Sequence, residues 1–259
     1  MARPDQHVLL SQVRRPRRQR PPHLLTRKAC RHRARPRVAG IGAAWLRCFG
    51  QRRNVRVVRS GRDDGSANLA PMSSAWALGQ IVVLGLGPEG QTAQNLASRP
   101  DLVINLPAAH QWEAVERLAP LTGRHPVPAH KRDRFRHEPA KFAAAGLQTQ
   151  VSQRVRPPRV ADCPLQIEAR ATRVAPDATG GFIIVEAAVL AVHADARIVI
   201  PGTDHIDPSA WHPLICSFRH YFGLGAELGH SFRSETAASV RHLSYSGGQM
   251  AVEGAQTAT

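Results

Sequence analysis

Short apolar runs separated by turn residues dominate the chain, and few stretches have the length or period of a long helix. The runs Ile81–Leu84 and Leu102–Leu106 lie on either side of a glycine-rich turn and an alanine-containing segment. Two further strand-like stretches, 163–174 and 181–200, are linked by the turn residues 179–181. Because strands here follow strands rather than alternate with helices, we predict an antiparallel meander in the second half of the chain.

Three local signals add to this pattern. Residues 193–197 separate two apolar runs, which predicts a second turn. The segment 141–148 is a short amphipathic helix, and Gly146 is a C-cap signal for it. Asp64-Gly65 is a strong hairpin-turn signal. These signals add two turns and one short helix to the predicted meander.

The glycine pattern Gly85-x-Gly87-x-x-Gly90 directly follows an apolar run, which is the outline of a dinucleotide-binding Rossmann unit. That unit needs an anion-accepting helix start and an acidic residue at the end of the second strand. Here Glu89 lies inside the glycine turn, where its carboxylate would repel a pyrophosphate, and the second apolar run ends in "INLP" without an acid. We therefore reject a Rossmann fold.

Positive charge is concentrated at one end of the 259-residue chain. Residues 1–62 hold 17 Arg and one Lys against one acidic residue, so almost all of the formal charge of +16 lies there. This segment shows no sustained periodicity, and we predict that it is disordered. Three interpretations stay open: a nucleic-acid-binding arm, a transit-like peptide, or the product of a frameshift or a start placed too far upstream in GC-rich DNA. We predict a globular domain over 63–235 and a polar tail over 236–259.

Cysteine spacing and hydropathy limit the class further. The four cysteines, Cys30, Cys48, Cys163 and Cys216, form no C-x-x-C pair, and the histidines have no metal-ligand spacing, so we expect reduced thiols and no metal site. No apolar run reaches the roughly 20 residues that span a bilayer, and the N-terminus has no apolar signal region. We therefore expect a cytoplasmic protein without membrane attachment.

Several blocks, in order, resemble the flavin reductase-like, FMN-binding split-barrel family: "NLAPMSSAWAL", "IVVLGLG", "QTAQNL", "DLVINLP", "CPLQIEAR" and "FIIVEAAVLAVHAD". The resemblance runs from about Asp63 to Arg233. It implies a mainly β fold, a six-stranded antiparallel Greek-key barrel with a few flanking helices. It also implies a homodimer, with FMN held near the subunit interface.

The resemblance assigns site residues as well. The flavin ring is expected along Asn68, Ala70, Pro71, Met72, Ser73 and Ser74, and the phosphate side is expected at Gly90, Gln91, Thr92 and Asn95. Gln91 stands where relatives often carry a basic residue, so one charge-assisted phosphate contact is missing unless Arg99 replaces it. His205 is the catalytic candidate, beside the flavin edge, although a solvent-exposed turn histidine is the alternative.

The implied activity is hydride transfer from NAD(P)H to FMN, or to FAD, and onward to an acceptor or a monooxygenase partner. Two alternatives stay open: a noncatalytic or degraded FMN-binding domain, and nucleic-acid binding through residues 1–62. The family's first barrel strand precedes the Asp64-Gly65 turn, where this chain has "NVRVVR", with Arg inside the alternation. Whether that strand is present stays open, and a barrel without it has an unpaired edge.

Overall fold

The computed structural model describes residues 7–12, 56–61 and 67–229. By its internal contacts the chain divides after Leu224. All of the helices and strands given below lie in the unit that ends there. Its strands are β1 (His7–Gln12), β2 (Arg56–Gly61), β3 (Ala67–Met72), β4 (Ala75–Leu78), β5 (Ile81–Leu86), β6 (Asp101–Leu106), β7 (Leu121–Thr122), β8 (Arg136–His137), β9 (Thr149–Gln150), β10 (Arg159–Val160), β11 (Leu165–Pro176), β12 (Ile183–Asp195), β13 (Ile215–Ser217) and β14 (His220–Phe222). Its helices are α1 (Gln91–Ser98), α2 (Trp112–Leu118) and α3 (Lys141–Ala145), with 3-10 turns at Ala109–Gln111, Ala129–Lys131 and Ala196–Ile198.

One antiparallel sheet organises the molecule. Its strands run in the order β3-β2-β6-β11-β12-β5-β4, and β1 pairs with β12 beyond the reach of β5. With β1, the described residues contribute eight strands to this sheet, where six were expected. Strands β5 and β6 flank α1 in the chain, yet two other strands separate them in the sheet. A Rossmann unit would make them parallel neighbours, so its rejection is confirmed.

The sheet is curled because its two ends are joined by a very short link. Strand β3 ends at Met72 and β4 begins at Ala75, although these strands lie at opposite ends of the strand order. Three peptide units reach at most about 11 Å, whereas the edges of a flat seven-stranded sheet lie about 29 Å apart. The sheet must therefore bend back on itself, and the prediction of a split barrel with few helices is confirmed.

Strand β2 lies inside the arginine-rich segment for which disorder was predicted, and for Arg56–Gly61 that prediction is wrong. The strand pairs with β3 on one side and with β6 on the other, so the first barrel strand is present. Its neighbouring residues Val57 and Val58 are both buried and belong to different hydrophobic clusters. Burial on both faces explains a strand in this basic context. His7–Gln12 also forms a strand, and the rest of residues 1–66 lies outside the described part.

Two hydrophobic clusters cover the two faces of β2 and β3. The first fills the barrel, and there Ala93 and Leu96 of α1 pack with residues such as Val58 and Leu84. The second lies between the sheet and helices α2 and α3, and includes Val57, Leu69, Val115, Leu118 and Ala145. Strand alternation thus points Leu69 toward α2 and α3, whereas its neighbour Asn68 points toward α1.

The remaining local predictions have mixed outcomes. Helix α3 ends at Ala145, and Gly146 follows with φ +67°, so the C-cap prediction is confirmed. The turn at 179–181 is confirmed as the link between β11 and β12. The predicted turn at 193–197 is wrong in its first half, because β12 continues to Asp195 through its pairing with β11 and β1. The Asp64-Gly65 turn and the polar tail lie outside the described residues.

Candidate functional site

Strands β2 and β3 meet α1 through a buried polar cluster, here called the α1 cluster. It consists of Ser60, Asn68, Gln91, Thr92 and Asn95. Asn68 Nδ2 donates to Thr92 Oγ1 at 2.9 Å. Asn95 Nδ2 donates to Ser60 Oγ at 2.9 Å, and Gln91 Nε2 donates to Asn95 Oδ1 at 2.8 Å. The structure thus brings together four of the predicted cofactor-binding residues, and it adds Ser60, which the sequence analysis did not identify.

Asn68 has one polar atom without a partner. Its Oδ1 atom is buried and accepts no hydrogen bond in the described part of the chain. A buried acceptor without a donor costs about 1–3 kcal/mol. The atom lies on the residue that also contacts the first turn of α1. A ligand with a hydroxyl or N–H group at this place would supply the missing donor.

The glycine turn ahead of α1 keeps its backbone close. Gly90 N donates to Gly87 O at 2.9 Å. A Cβ atom on Gly90 would lie 3.0 Å from that carbonyl oxygen, so any side chain here would force the turn to shift. The N-cap residue Gly90 has no side chain to cap the first turn of α1, and the N–H groups at a helix start carry a partial positive charge. The glycines therefore shape the entry to α1.

The link Ser73–Ser74 joins the two ends of the curled sheet. Ser74 O accepts from Gly85 N at 2.8 Å, and Ala75 N donates to Ser73 O at 3.0 Å. A Cβ atom on Gly85 would lie 3.4 Å from Ser74 Cβ, so Gly85 lets the link lie close against β5. Both predicted serines are thus fixed by their backbone rather than by side-chain hydrogen bonds.

A groove of about 550 Å³ opens beside this link. Its wall is mostly apolar, with Trp76 and Phe182 partly exposed to solvent. One charged pair borders it, in which Arg173 Nη1 lies 3.0 Å from Glu186 Oε1. The groove is lined by Ser74, Ala75, Trp76, Ile81, Val83, Leu84, Gly85, Arg173, Phe182, Ile184 and Glu186. Its size and apolar walls fit a planar organic ligand.

The remaining residues of the predicted ring-binding segment lie along β3. Strand alternation places Ala70 and Met72 on the same face as Asn68, and Met72 packs against the barrel cluster. Pro71 lies on the opposite face, paired with Val57 of β2. The segment therefore offers side chains to two environments, and only one of them contains the α1 cluster.

Lys141 is a buried residue that the sequence analysis did not identify. It begins α3, and its Nζ donates to Leu69 O at 2.7 Å and to Leu121 O at 3.0 Å. Only 3% of the residue is exposed. The ammonium group thus fixes the backbone of β3 between Asn68 and Ala70, in the middle of the predicted cofactor-binding segment.

His205 lies apart from these contacts. It belongs to a turn in which Ile200 N donates to His205 O at 2.9 Å, and His205 N donates to Thr203 Oγ1 at 3.1 Å. Its imidazole makes no hydrogen bond or ion pair with the described residues. The structure does not join His205 to the α1 cluster by any such contact, so its catalytic role stays a prediction.

A second buried network lies between β11, β12 and the segment ahead of β10. Glu168 Oε1 is 2.7 Å from His193 Nε2 and 3.7 Å from Arg159 Nε. The backbone N–H groups of Gln153 and Arg154 also donate to this carboxylate. Burial alone would raise the pKa of Glu168, but these hydrogen bonds outweigh burial, and the pKa is lowered. The network fixes residues 151–160 against the sheet.

The comparison with protein families gives one match. The model of the family described as "Flavin reductase like domain" matches residues 50–225, which begins ahead of β2. A relative in Bacillus subtilis (strain 168), the uncharacterized protein YdfE, is 44% identical over 176 residues. That alignment covers 67% of this chain and 84% of the relative. The domain boundaries predicted at 62 and 235 stay predictions.

Solved structures agree in fold. Flavoredoxin of Desulfovibrio vulgaris (Miyazaki F) superposes with a TM-score of 0.59 at 17% identity, over 72% of this chain and 94% of that one. Nitrilotriacetate monooxygenase component B from Bacillus cereus gives a TM-score of 0.57 at 16% identity, over 78% and 100% of the two chains. Identities this low show the shared fold alone.

The described residues offer neither a membrane-spanning helix nor a metal-binding cluster. Among them, no helix has the length and hydropathy to cross a membrane. The same part of the chain holds no group of three or more His, Cys, Asp or Glu side chains that could bind a metal ion.

Proposed function

The chain belongs to the flavin reductase-like domain family, and from this membership we propose that it is an oxidoreductase that binds FMN noncovalently and receives hydride from NADH or NADPH. A bound flavin supplies the hydride-accepting chemistry, while the protein supplies position and electrostatics. The sequence therefore needs no general acid or base of its own.

One observation carries this proposal: the buried, unpartnered Asn68 Oδ1 lies on the strand that leads into Ser73–Ser74 and the apolar groove. A flavin has one part that suits the unpartnered oxygen and another that suits the groove. Its ribityl hydroxyl groups are donors for a buried amide oxygen. Its ring is a planar, largely apolar body of the size that such a groove accepts. The residues present therefore fit the group.

The chain's own residues have distinct parts in this proposal. Asn68 and Thr92 hold each other at the start of α1, so that Oδ1 of Asn68 stays aimed away from Thr92. Gly90 allows close approach to the uncapped N–H groups of α1, which favour an anion. Trp76 and Phe182 offer apolar side chains to a ring in the groove. Lys141 fixes the carbonyl of Leu69 and, through it, the path of β3.

The proposal also gives a role to His205 and names the proteins that would associate with this chain. We assign His205 to the nicotinamide side of the site, where an imidazole can donate a hydrogen bond to a carboxamide. An acceptor protein or a monooxygenase partner would receive the electrons in this proposal. One structural relative is named as a monooxygenase component B, which is the kind of partnership proposed. We also propose a homodimer and a cytoplasmic location.

The visible absorption spectrum of the purified full-length chain is the first test. A flavin spectrum near one flavin per subunit, together with NADH or NADPH oxidation on addition of FMN, would support the enzyme. If flavin is bound but neither NADH nor NADPH is oxidised in the presence of several electron acceptors, the chain is a noncatalytic FMN-binding protein. A folded chain that neither binds FMN nor oxidises NAD(P)H would contradict the proposal.

A further inference from the structure

An exposed stretch between α2 and α3, residues 124–136, concentrates positive charge and is here called the basic loop. It holds five basic side chains against one acidic side chain, whereas residues 63–259 as a whole are nearly neutral. The basic residues are Arg124, Lys131, Arg132, Arg134 and Arg136. Arg134 and Arg136 are exposed, and their side chains form no hydrogen bond or ion pair with the described residues. Their charges are therefore available to a ligand.

The basic loop contacts the glycine turn at one place, and the chain just ahead of the loop is joined to β3 at another. Within the loop, His130 Nδ1 lies 3.5 Å from Oε2 of Glu89, which belongs to the glycine turn ahead of α1. Just ahead of the loop, Leu121 O accepts a hydrogen bond from Lys141 Nζ, which also donates to Leu69 O. The loop thus lies against the turn on the predicted phosphate side, while Leu121, three residues ahead of it, is joined through Lys141 to the strand on the predicted ring side.

The site itself is short of positive charge at its phosphate side. Gln91 is neutral, and its amide is already bound to Asn95 Oδ1. Glu89 adds a negative charge to the glycine turn. The side chains of the α1 cluster are all neutral, whereas the adjoining loop carries five basic side chains that a ligand with several phosphate groups would meet. Arginine side chains bind phosphate with paired N–H donors.

We propose that the basic loop binds the additional phosphate groups of a dinucleotide, and that it thereby decides which dinucleotide this protein uses. The inference rests on the proposed flavin-dependent function. Two ligands carry the required chemistry: FAD, whose diphosphate extends beyond the single phosphate of FMN, and NADPH, whose 2′-phosphate is absent from NADH. The experiment separates them.

The test uses the full-length chain and a double substitution, Arg134→Gln with Arg136→Gln. The matched control is Arg154→Gln with Arg156→Gln, which removes two exposed charges from the segment that packs on Glu168. Dissociation constants for FMN and FAD are measured by titration, and KM values for NADH and NADPH are measured with FMN present. Each measurement is made at low and at high salt.

The wild type is expected to prefer FAD over FMN, NADPH over NADH, or both. The double variant should lose that preference by about tenfold, with less than a twofold change in FMN affinity, while the control keeps the preference. High salt should weaken the wild-type preference, because exposed charges are screened. A preference lost in the flavin pair identifies FAD as the ligand, and one lost in the nicotinamide pair identifies NADPH.

Three results would overturn the inference. The wild type shows no preference in either pair, or the double variant keeps the preference as the control does. Alternatively, single-stranded DNA binds the wild type more tightly than either dinucleotide, and loss of DNA binding is the only effect of the double variant. If FMN does not bind and no nicotinamide is oxidised, the proposed function fails as well. Normal FMN binding without a dinucleotide preference contradicts the inference alone.

Discussion

At the scale of single residues, Asn68 of the α1 cluster is expected to affect ligand affinity more than the stability of the apoprotein. Asn68→Ala removes one hydrogen bond to Thr92, but it also removes a buried acceptor that has no donor. The two effects on the free energy of unfolding oppose each other. We therefore expect the apoprotein to keep its thermal midpoint within a few degrees, while FMN affinity falls about tenfold.

Fluorescence titration of FMN and thermal unfolding of the apoprotein check this expectation. Ser98→Ala serves as the control, because Ser98 lies on the same helix at its exposed C-terminal end. A variant that unfolds early and loses FMN in proportion would show that Asn68 is structural only.

Glu168 gives the molecule a specific sensitivity to acid. Its pKa is lowered in the folded protein, so its contribution to stability is complete above the unfolded pKa of about 4.3 and is lost as the pH falls through the folded value. Glu168→Gln should lower the free energy of unfolding by about 3 kcal/mol at pH 7, since Arg159 stays buried without its carboxylate.

Urea unfolding at pH 7 and at steps below pH 4.5 tests the sign of this effect. The difference in free energy of unfolding between wild type and Glu168→Gln should narrow as the pH falls, because protonation removes the same charge that the substitution removes. A gap that stays constant down to pH 3 would contradict the assignment of this charge to Glu168.

At the scale of elements, α3 stabilises the site through one side chain. Lys141→Met keeps much of the aliphatic packing but removes the hydrogen bonds to Leu69 O and Leu121 O. We expect a loss of about 2 kcal/mol in the free energy of unfolding, together with weaker FMN binding. The conservative variant Lys141→Arg should recover part of the affinity. Equal FMN affinity in wild type and Lys141→Met would refute the positioning role of Lys141.

The hairpin of β13 and β14 has an unusual turn. Its two turn residues, Phe218 and Arg219, have φ values of +47° and +67°. Residues other than glycine and asparagine are disfavoured in this region, and two-residue hairpins prefer Asn-Gly. Phe218→Asn combined with Arg219→Gly should therefore stabilise the hairpin by about 1 kcal/mol. Calorimetry measures the change, and a lower melting temperature would contradict the expectation.

At the scale of the whole molecule, the outer face of β4 and β5 exposes apolar side chains. Leu78 is 70% exposed opposite Ile81, and Trp76 is 50% exposed beside Val83. The proposed homodimer would cover such a surface next to Ser73–Ser74. We expect Leu78→Lys to raise the fraction of monomer in sedimentation experiments. Val151→Lys, at an 81% exposed apolar position, should leave association unchanged, and equal effects of both variants would argue against this face.

Part of the α1 cluster could be predicted from the blocks of the sequence that resemble the family. Asn68, Thr92 and Asn95 were assigned from two separate blocks, and the structure brings them together. Ser60 was missed because its role depends on β2 lying between β3 and β6, which the arginine-rich context concealed. Lys141 was missed because its acceptors lie 20 and 72 positions away in the chain. A lysine at the start of an amphipathic helix is ordinarily solvent-exposed.

The two-residue link between β3 and β4 has a consequence for how the curled sheet can open. These strands are the terminal members of the strand order, and no ladder of hydrogen bonds joins them in the part of the chain described. The barrel therefore has a slit that is closed by covalent bonds at Ser73–Ser74 and open along its length. Widening this slit breaks no backbone pair of the sheet. For a flavin bound beside Ser73–Ser74 as proposed, we therefore expect exchange of the ligand to be separable from unfolding of the barrel. Amide hydrogen exchange along β3 and β4 should slow on flavin binding, while exchange in β11 and β12 stays as it is.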